Sequence, residues 1–200
     1  MNWKHRCKSN FIQSPINIEK IKILSLLEKD FAITYNFYDV YPIISRRFNE
    51  AIVRFSHHPG VLMLTISNNK VIFIPKYITF RFPGEHSFKS KRYSGEMQIH
   101  LEELMPDKKR HYVNGMQISI PLDANSDYHN FSPLEPLGMD FWKKVLEKKN
   151  HHLPKNFLNK QRNVFSLPEI FNQLLISKTK YFFYLGSETV PPCTSIFLYL

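Results

Sequence analysis

The chain has 200 residues, 43% of them hydrophobic, with 17 phenylalanines, 10 tyrosines and a formal charge of +10. That is ample for one core and short for two, so residues 1–200 are expected to form a single domain. No run of 18 apolar residues exists, which excludes a membrane-spanning helix. No basic run has the aromatic interleaving or the helix-turn-helix or zinc-finger spacing of a nucleic-acid binder, so nucleic acid is an unlikely partner.

The start, MNWKHRCKSN, is basic and aromatic and has no apolar h-region, so it does not read as a signal peptide. SPINI (14–18) opens with a Ser-Pro turn. From Phe31 to Phe82 come short β-rich runs: FAITYNFYDVYPII, AIVRFSHH, VLMLTI, KVIFI and YITFRF, separated by HHPG, SNNK and PK. Short strands with regular turn punctuation point to a large, mostly antiparallel sheet. KRYSGEMQIHLEEL and YVNGMQISIPL continue it. Within RYSGEMQIH (92–100), Glu96, Gln98 and His100 alternate with Met97 and Ile99. One face of that strand is therefore polar, as in many metal or catalytic sites, and the other is apolar.

Helical signals are few. SPLEPLGMDFWKKVLEKK (132–149) has apolar residues at Leu137, Phe141, Trp142 and Val145 and a basic tail. SLPEIFNQLLI (166–176) offers Ser166 as a cap before Pro168. The end, KYFFYLGSETVPPCTSIFLYL, reads as strand, turn, strand. Basic clusters stand at 89–92, 107–111, 143–152 and 159–162. They read either as solvated faces or as a surface for polyanions such as sulfated glycans or acidic headgroups. The two cysteines, Cys7 and Cys193, are free thiols or close one long loop. As a pair they would contribute roughly 5 kcal/mol or less and imply an oxidising compartment.

Three spaced motifs then converge: QSPINI (13–18), GEH (84–86) with KRYSGEMQIH (91–100), and YLGSETVPPC (184–193). In order and spacing they resemble signatures of the α-class carbonic anhydrases, and the resemblance spans nearly the whole chain. It implies a mainly β fold, a large twisted and mostly antiparallel sheet of about ten strands with a few short helices. It also implies a pocket on one face. There the family binds zinc through three histidines and a water, whose lowered pKa yields the hydroxide that attacks CO₂.

This sequence departs from that ligand set. The family's first two ligands form a His-x-His pair followed by Trp and Gly. Here the run is YITFRFPGEH, so Phe80 and Phe82 fill the ligand positions if Gly84 is the motif's glycine. If Tyr77 is the anchor instead, the segment has been excised. The third ligand becomes Gln98, a poor zinc donor beside imidazole. The resemblance matches Glu85, His86, Glu96 and Thr189 to residues that support and orient the ligands and the bound hydroxide. Gln98, His100, Gln117 and Glu188 then line a remodelled, polar pocket, with His100 expected to bond Glu188 or Glu96. Gly60 falls where the family has its proton-shuttle histidine, with His57 and His58 close in sequence. Zinc is expected to be absent.

The resemblance also pairs Cys7 with Cys193, as in secreted members, and so suggests a secretory or extracellular home. Asn130-Phe131-Ser132 is a glycosylation sequon. Family members run further past the Pro-Pro-Cys strand, so the domain is expected to be shortened at its C-terminus. The reading is a non-catalytic carbonic-anhydrase-like protein, resembling acatalytic relatives that lack the three zinc histidines. It would act by binding an unknown protein, an anionic glycan or a membrane surface. The alternative is a residual carbonic anhydrase with a non-standard metal site.

Overall fold

The computed structural model describes residues 15–18, 31–47, 50–66, 69–104, 115–122, 165–176, 182–187 and 195–199. In chain order the strands are β1 (Phe31–Phe37), β2 (Asp39–Val40), β3 (Pro42–Arg47), β4 (Glu50–Phe55), β5 (Gly60–Ile66) and β6 (Asn69–Arg81). They continue with β7 (Ser87–Phe88), β8 (Lys91–Arg92), β9 (Gly95–Glu103), β10 (Gly115–Leu122) and β11 (Phe165–Ser166). Helix α1 (Leu167–Ile176) precedes β12 (Tyr184–Ser187) and β13 (Ser195–Tyr199). The class is mainly β, as the alternation and turn spacing imply.

One nine-stranded sheet dominates, ordered β1-β5-β6-β9-β10-β13-β12, with β4 on β6 and β3 on β4. All its pairs are antiparallel except β10 with β13, which is parallel. Strand β6 is the hinge of this arrangement. Its first half, to Phe73, pairs with β5, and its second half, from Tyr77, pairs with β4. The Pro-Lys break expected between KVIFI and YITFRF is therefore not a turn. Pro75 sits at the changeover between the two partners, beside an irregularity in the β6–β9 register. A proline lacks the N–H that a ladder needs, and such a changeover and bulge is where a strand tolerates it.

The period-2 alternation sorts the sheet into two faces. Ala51, Val53, Ile78, Phe80, Met97, Ile99, Met116 and Ile118 point to one side and are buried in a single apolar cluster. Helix α1 adds Leu167, Ile170 and Phe171 to it, and the Phe171 ring meets Phe37 at 4.6 Å. The helix starts as expected: the Ser166 hydroxyl accepts the Glu169 backbone N–H at 3.3 Å. The 132–149 helix lies outside the described residues. At the head of β5, Gly60 has φ of +102°, and a Cβ there would stand 2.1 Å from the Asn36 carbonyl oxygen. Only glycine suits that place. Among the described residues no helix is long and apolar enough to cross a membrane.

Phe80 is fully buried and sits opposite Met97. Replacing it with alanine should lower unfolding stability by about 3–5 kcal/mol, measured as a shift of the denaturant midpoint at unchanged slope.

Candidate functional site

The opposite face of the same strands is polar. Cross-strand register places Arg81, Thr79 and Tyr77 of β6 directly against Glu96, Gln98 and His100 of β9. On the far side of β9, Gln117 and Ser119 of β10 face His100 and Gln98. On the near side, Glu50 and Arg54 of β4 face Arg81 and Tyr77. Directly opposite residues of an antiparallel pair share a face, so these side chains form one polar floor, interrupted on β4 by the buried Ile52 opposite Thr79. Its centre is dry: Thr79, Arg81, Glu96, Gln98 and Gln117 are all buried.

Glu96 anchors this floor. Its Oε2 accepts the backbone N–H groups of Glu85 and His86, both at 2.8 Å. Its Oε1 receives His86 Nδ1 and the Gln98 amide, both at 2.7 Å. Burial pushes this carboxyl up. The hydrogen bond and charge of His86, with bonds from Gln98 and the His86 backbone, more than reverse that and bring its pKa down to about 2. His86 is held from its other side as well, its Nε2 lying 2.6 Å from the Tyr184 hydroxyl on β12.

Gln98 spends its second N–H on Glu85 Oε2, at 2.9 Å. Thr79 Oγ1 donates to the Gln98 carbonyl oxygen at 3.2 Å and lies 2.9 Å from His100 Nε2. The His100 ring stacks on Tyr77, with centroids 4.3 Å apart and 21° between planes. Burial, and then the Arg81 charge, push the His100 imidazole down to about 3, so it is neutral at physiological pH. Of the two partners expected for His100, Glu188 lies outside the described residues and the bond to Glu96 does not form. Glu96 already accepts four donors, and His100, four residues along the same strand, is met first by Thr79.

The pair facing Gln98 is neither of the two alternatives read from the sequence. Phe80 points into the apolar core and Phe82 packs against it, while β6 runs unbroken past Tyr77 to Arg81. The i, i+2 pair on the Gln98 face is Thr79 and Arg81. The signal lay in YITFRF, where Thr and Arg alternate with aromatics, one period out of step with the Phe80/Phe82 placement. Arg81 carries a guanidinium into the centre of the site. It bonds Glu85 through Nη1 and Glu50 through Nη2, the latter at 3.1 Å.

These groups do not fit a zinc ion. A threonine hydroxyl and an amide are weak donors for it, and a guanidinium has no lone pair to give and repels a cation. Among the described residues no three His, Cys, Asp or Glu side chains lie together in a metal-holding group. His57 and His58 bond locally, to Ser56, to the Asp39 carbonyl and to the Gly60 N–H. Of the sequence-expected site residues, Glu85, His86, Glu96, Gln98, His100 and Gln117 meet on this floor or at its rim. Glu188, Thr189, Cys7 and Cys193 lie outside the described residues. Arg81, Thr79, Tyr77 and Glu50 are its unexpected members.

Known proteins share this architecture. The chain is 27% identical over 191 residues to dioscorin dioA3 of Dioscorea japonica, covering 94% of this chain and 59% of that relative's length. A crystal structure of dioscorin complexed with ascorbate superposes with a TM-score of 0.62 at 23% identity, over 94% of this chain and 67% of that one. A halotolerant carbonic anhydrase from Dunaliella salina gives 0.64 at 20% identity, over 98% and 73%. No family model matches the chain. In fold and in relatives the chain is α-carbonic-anhydrase-like.

Because the Glu96 carboxyl titrates near 4.5 when unfolded and near 2 when folded, its stabilisation is complete above about 4.5. It fades as pH falls towards 2. Glu96→Gln should cost roughly 2 kcal/mol near neutral pH, and the gap to wild type should close across that window. Denaturant midpoints of both proteins at a series of pH values check this.

Proposed function

We propose that this α-carbonic-anhydrase-like chain is a non-catalytic binding protein in which the family's zinc position has been given over to an internal ion-pair and hydrogen-bond network. The observation that carries this reading is Arg81. A buried guanidinium, paired with Glu50 and Glu85, stands beside Gln98, where the metal would need imidazoles. Hydration of CO₂ requires a bound hydroxide generated near neutral pH. His100 is too weak a base to take the proton of an ordinary water, and Arg81 is held by carboxylates. Glu85, His86 and Glu96 then persist as structural supports of the sheet.

A small hydroxylated molecule on the polar floor is the ligand this surface suits, and the fold's likeness to a dioscorin complexed with ascorbate supports that class. The chain spans 59% of the length of the dioscorin relative, so activities of that whole protein come to this chain only as a proposal. A Cys7–Cys193 disulfide and a secreted home belong to the same reading, supported by the motif resemblance.

A second partner is favoured by a specific observation. Lys89 and Ser90 form the two-residue turn between β7 and β8, both at positive φ (47° and 61°). Such backbone costs of order 1–3 kcal/mol per residue and persists only where its surroundings impose it. Here Asn17 clamps the turn, donating to Ser90 Oγ at 3.0 Å and accepting the Ser90 N–H at 3.2 Å. Lys89, Lys91 and Arg92 are consequently presented as exposed cations on a fixed tip. That suits a sulfated or otherwise anionic glycan. The other basic clusters lie outside the described residues.

Metal analysis of the purified protein should give well under one zinc per chain, and stopped-flow CO₂ hydration should match the buffer blank. Stoichiometric zinc with chelator-sensitive turnover would overturn the non-catalytic reading in favour of a residual carbonic anhydrase. For the glycan, Lys89→Glu with Lys91→Glu and Arg92→Glu should lower the salt needed for elution from heparin more than three reversals elsewhere. Equal effects from every basic cluster would remove the case for a defined site, since any basic protein is retained at low salt.

A further inference from the structure

The hydrogen bonds of the polar floor have a fixed direction, and following it outward assigns the protonation of each group. Carboxylates only accept. The Gln98 amide sends one N–H to Glu96 Oε1 and the other to Glu85 Oε2, which leaves its carbonyl oxygen turned to Thr79. A carbonyl oxygen also only accepts, and the hydroxyl of Thr79 is the donor placed to satisfy it. Towards His100 Nε2, at 2.9 Å, Thr79 Oγ1 can then act only as acceptor. In this arrangement His100 Nε2 carries the hydrogen. A neutral imidazole has one N–H, so Nδ1 is left as a bare lone pair. Among the described residues nothing donates to it. His86 is arranged the other way, giving its Nδ1–H to Glu96.

His100 also sits in a row that crosses four strands on one face: Arg54 on β4, Tyr77 on β6, His100 on β9 and Gln117 on β10. Beneath this row Thr79 and Gln98 are buried, while Arg54 is exposed and Tyr77 and His100 are partly so. The row therefore offers a cation at one end, an aromatic ring and a neutral acceptor, and it ends at the buried Gln117. Arg54 is steadied by Ser45, to whose hydroxyl it donates at 2.8 Å. A ligand matching this order has an anionic group for Arg54 and a hydroxyl that donates. CO₂ has no such donor, and a lone imidazole nitrogen beside Arg81 does not suit a metal cation.

We infer that His100 Nδ1 is a hydrogen-bond acceptor for a hydroxyl of a small polyhydroxylated anion, of the sugar-acid class, lying along Arg54 and Tyr77. Thr79 acts as a positioning residue: it fixes the His100 tautomer and does not touch the ligand. This rests on the reading of the polar floor as a ligand site in a non-catalytic protein.

Two-bond ¹H–¹⁵N correlation of the histidines in the full chain tests it directly. The free protein should show His100 as the Nε2–H tautomer at neutral pH. D-Glucuronate or D-gluconate should move the His100 Nδ1 resonance, whereas benzoate, an anion without hydroxyls, should not. His100→Phe, which keeps a ring against Tyr77, should weaken binding of the hydroxylated probe by roughly tenfold, the loss of one hydrogen bond. Thr79→Val should convert His100 to a mixture of tautomers and weaken binding less. An Nδ1–H tautomer in the free protein overturns the inference even if a variant fails to fold. So do an equal response to benzoate, unchanged affinity of His100→Phe, or no binding of either sugar acid at millimolar concentration. Hydroxylated probes that bind independently of His100 would leave the binding reading standing and remove only this site. Zinc with turnover would remove the reading itself.

Discussion

A buried carboxylate must be matched by donors or it will not stay ionised, and Glu96 sets that requirement for the whole polar side of the sheet. Two backbone N–H groups, one imidazole and one amide converge on it. Meeting the demand ties the Glu85–His86 loop to β9 and points the Gln98 amide inward. Through Thr79 it also orients a histidine two residues further along β9. Side chains that look like separate polar substitutions in the sequence are consecutive links leading to one negative charge. Buried polar groups are stable when every link is satisfied, and here the links run in a single direction.

The sheet can hold such a network because its two faces are separated so cleanly. Met97 and Ile99 close the apolar side while Glu96 and Gln98, their neighbours in sequence, carry the polar side. Strand β6 makes the arrangement possible by exchanging partners at Pro75: β5 supports it where it is apolar, and β4 brings Glu50 to Arg81 where it is charged. A one-residue slip of β6 would place Phe80 over Glu96 and bury Arg81 in the core, so register and charge placement are fixed together.

Much of this was legible in the sequence. The alternation of RYSGEMQIH gave both faces of β9, the cap at Ser166 marked the start of α1, and the motif series indicated the fold. What was not legible depends on contacts between strands. Thr79 and Arg81 match no histidine motif, and their importance follows from lying opposite Gln98 and Glu96. The bond of His100 to Thr79 rather than to Glu96 follows from a competition among donors for one carboxylate that no local pattern encodes. The proline in β6 read as a break because its tolerance depends on which strand lies beside it.

The ion pairs of Arg81 also constrain which substitutions the site can accept. Exchanging Arg81 alone for histidine would leave Glu50 and Glu85 facing each other across a nearly dry site without their shared cation. Exchanging Thr79 or Gln98 alone would place an imidazole beside a guanidinium with no metal to bind. Each such exchange taken singly should therefore lower stability. The guanidinium between its two carboxylates therefore couples positions 50, 81 and 85, so that a change at one is tolerated only with a change at the others.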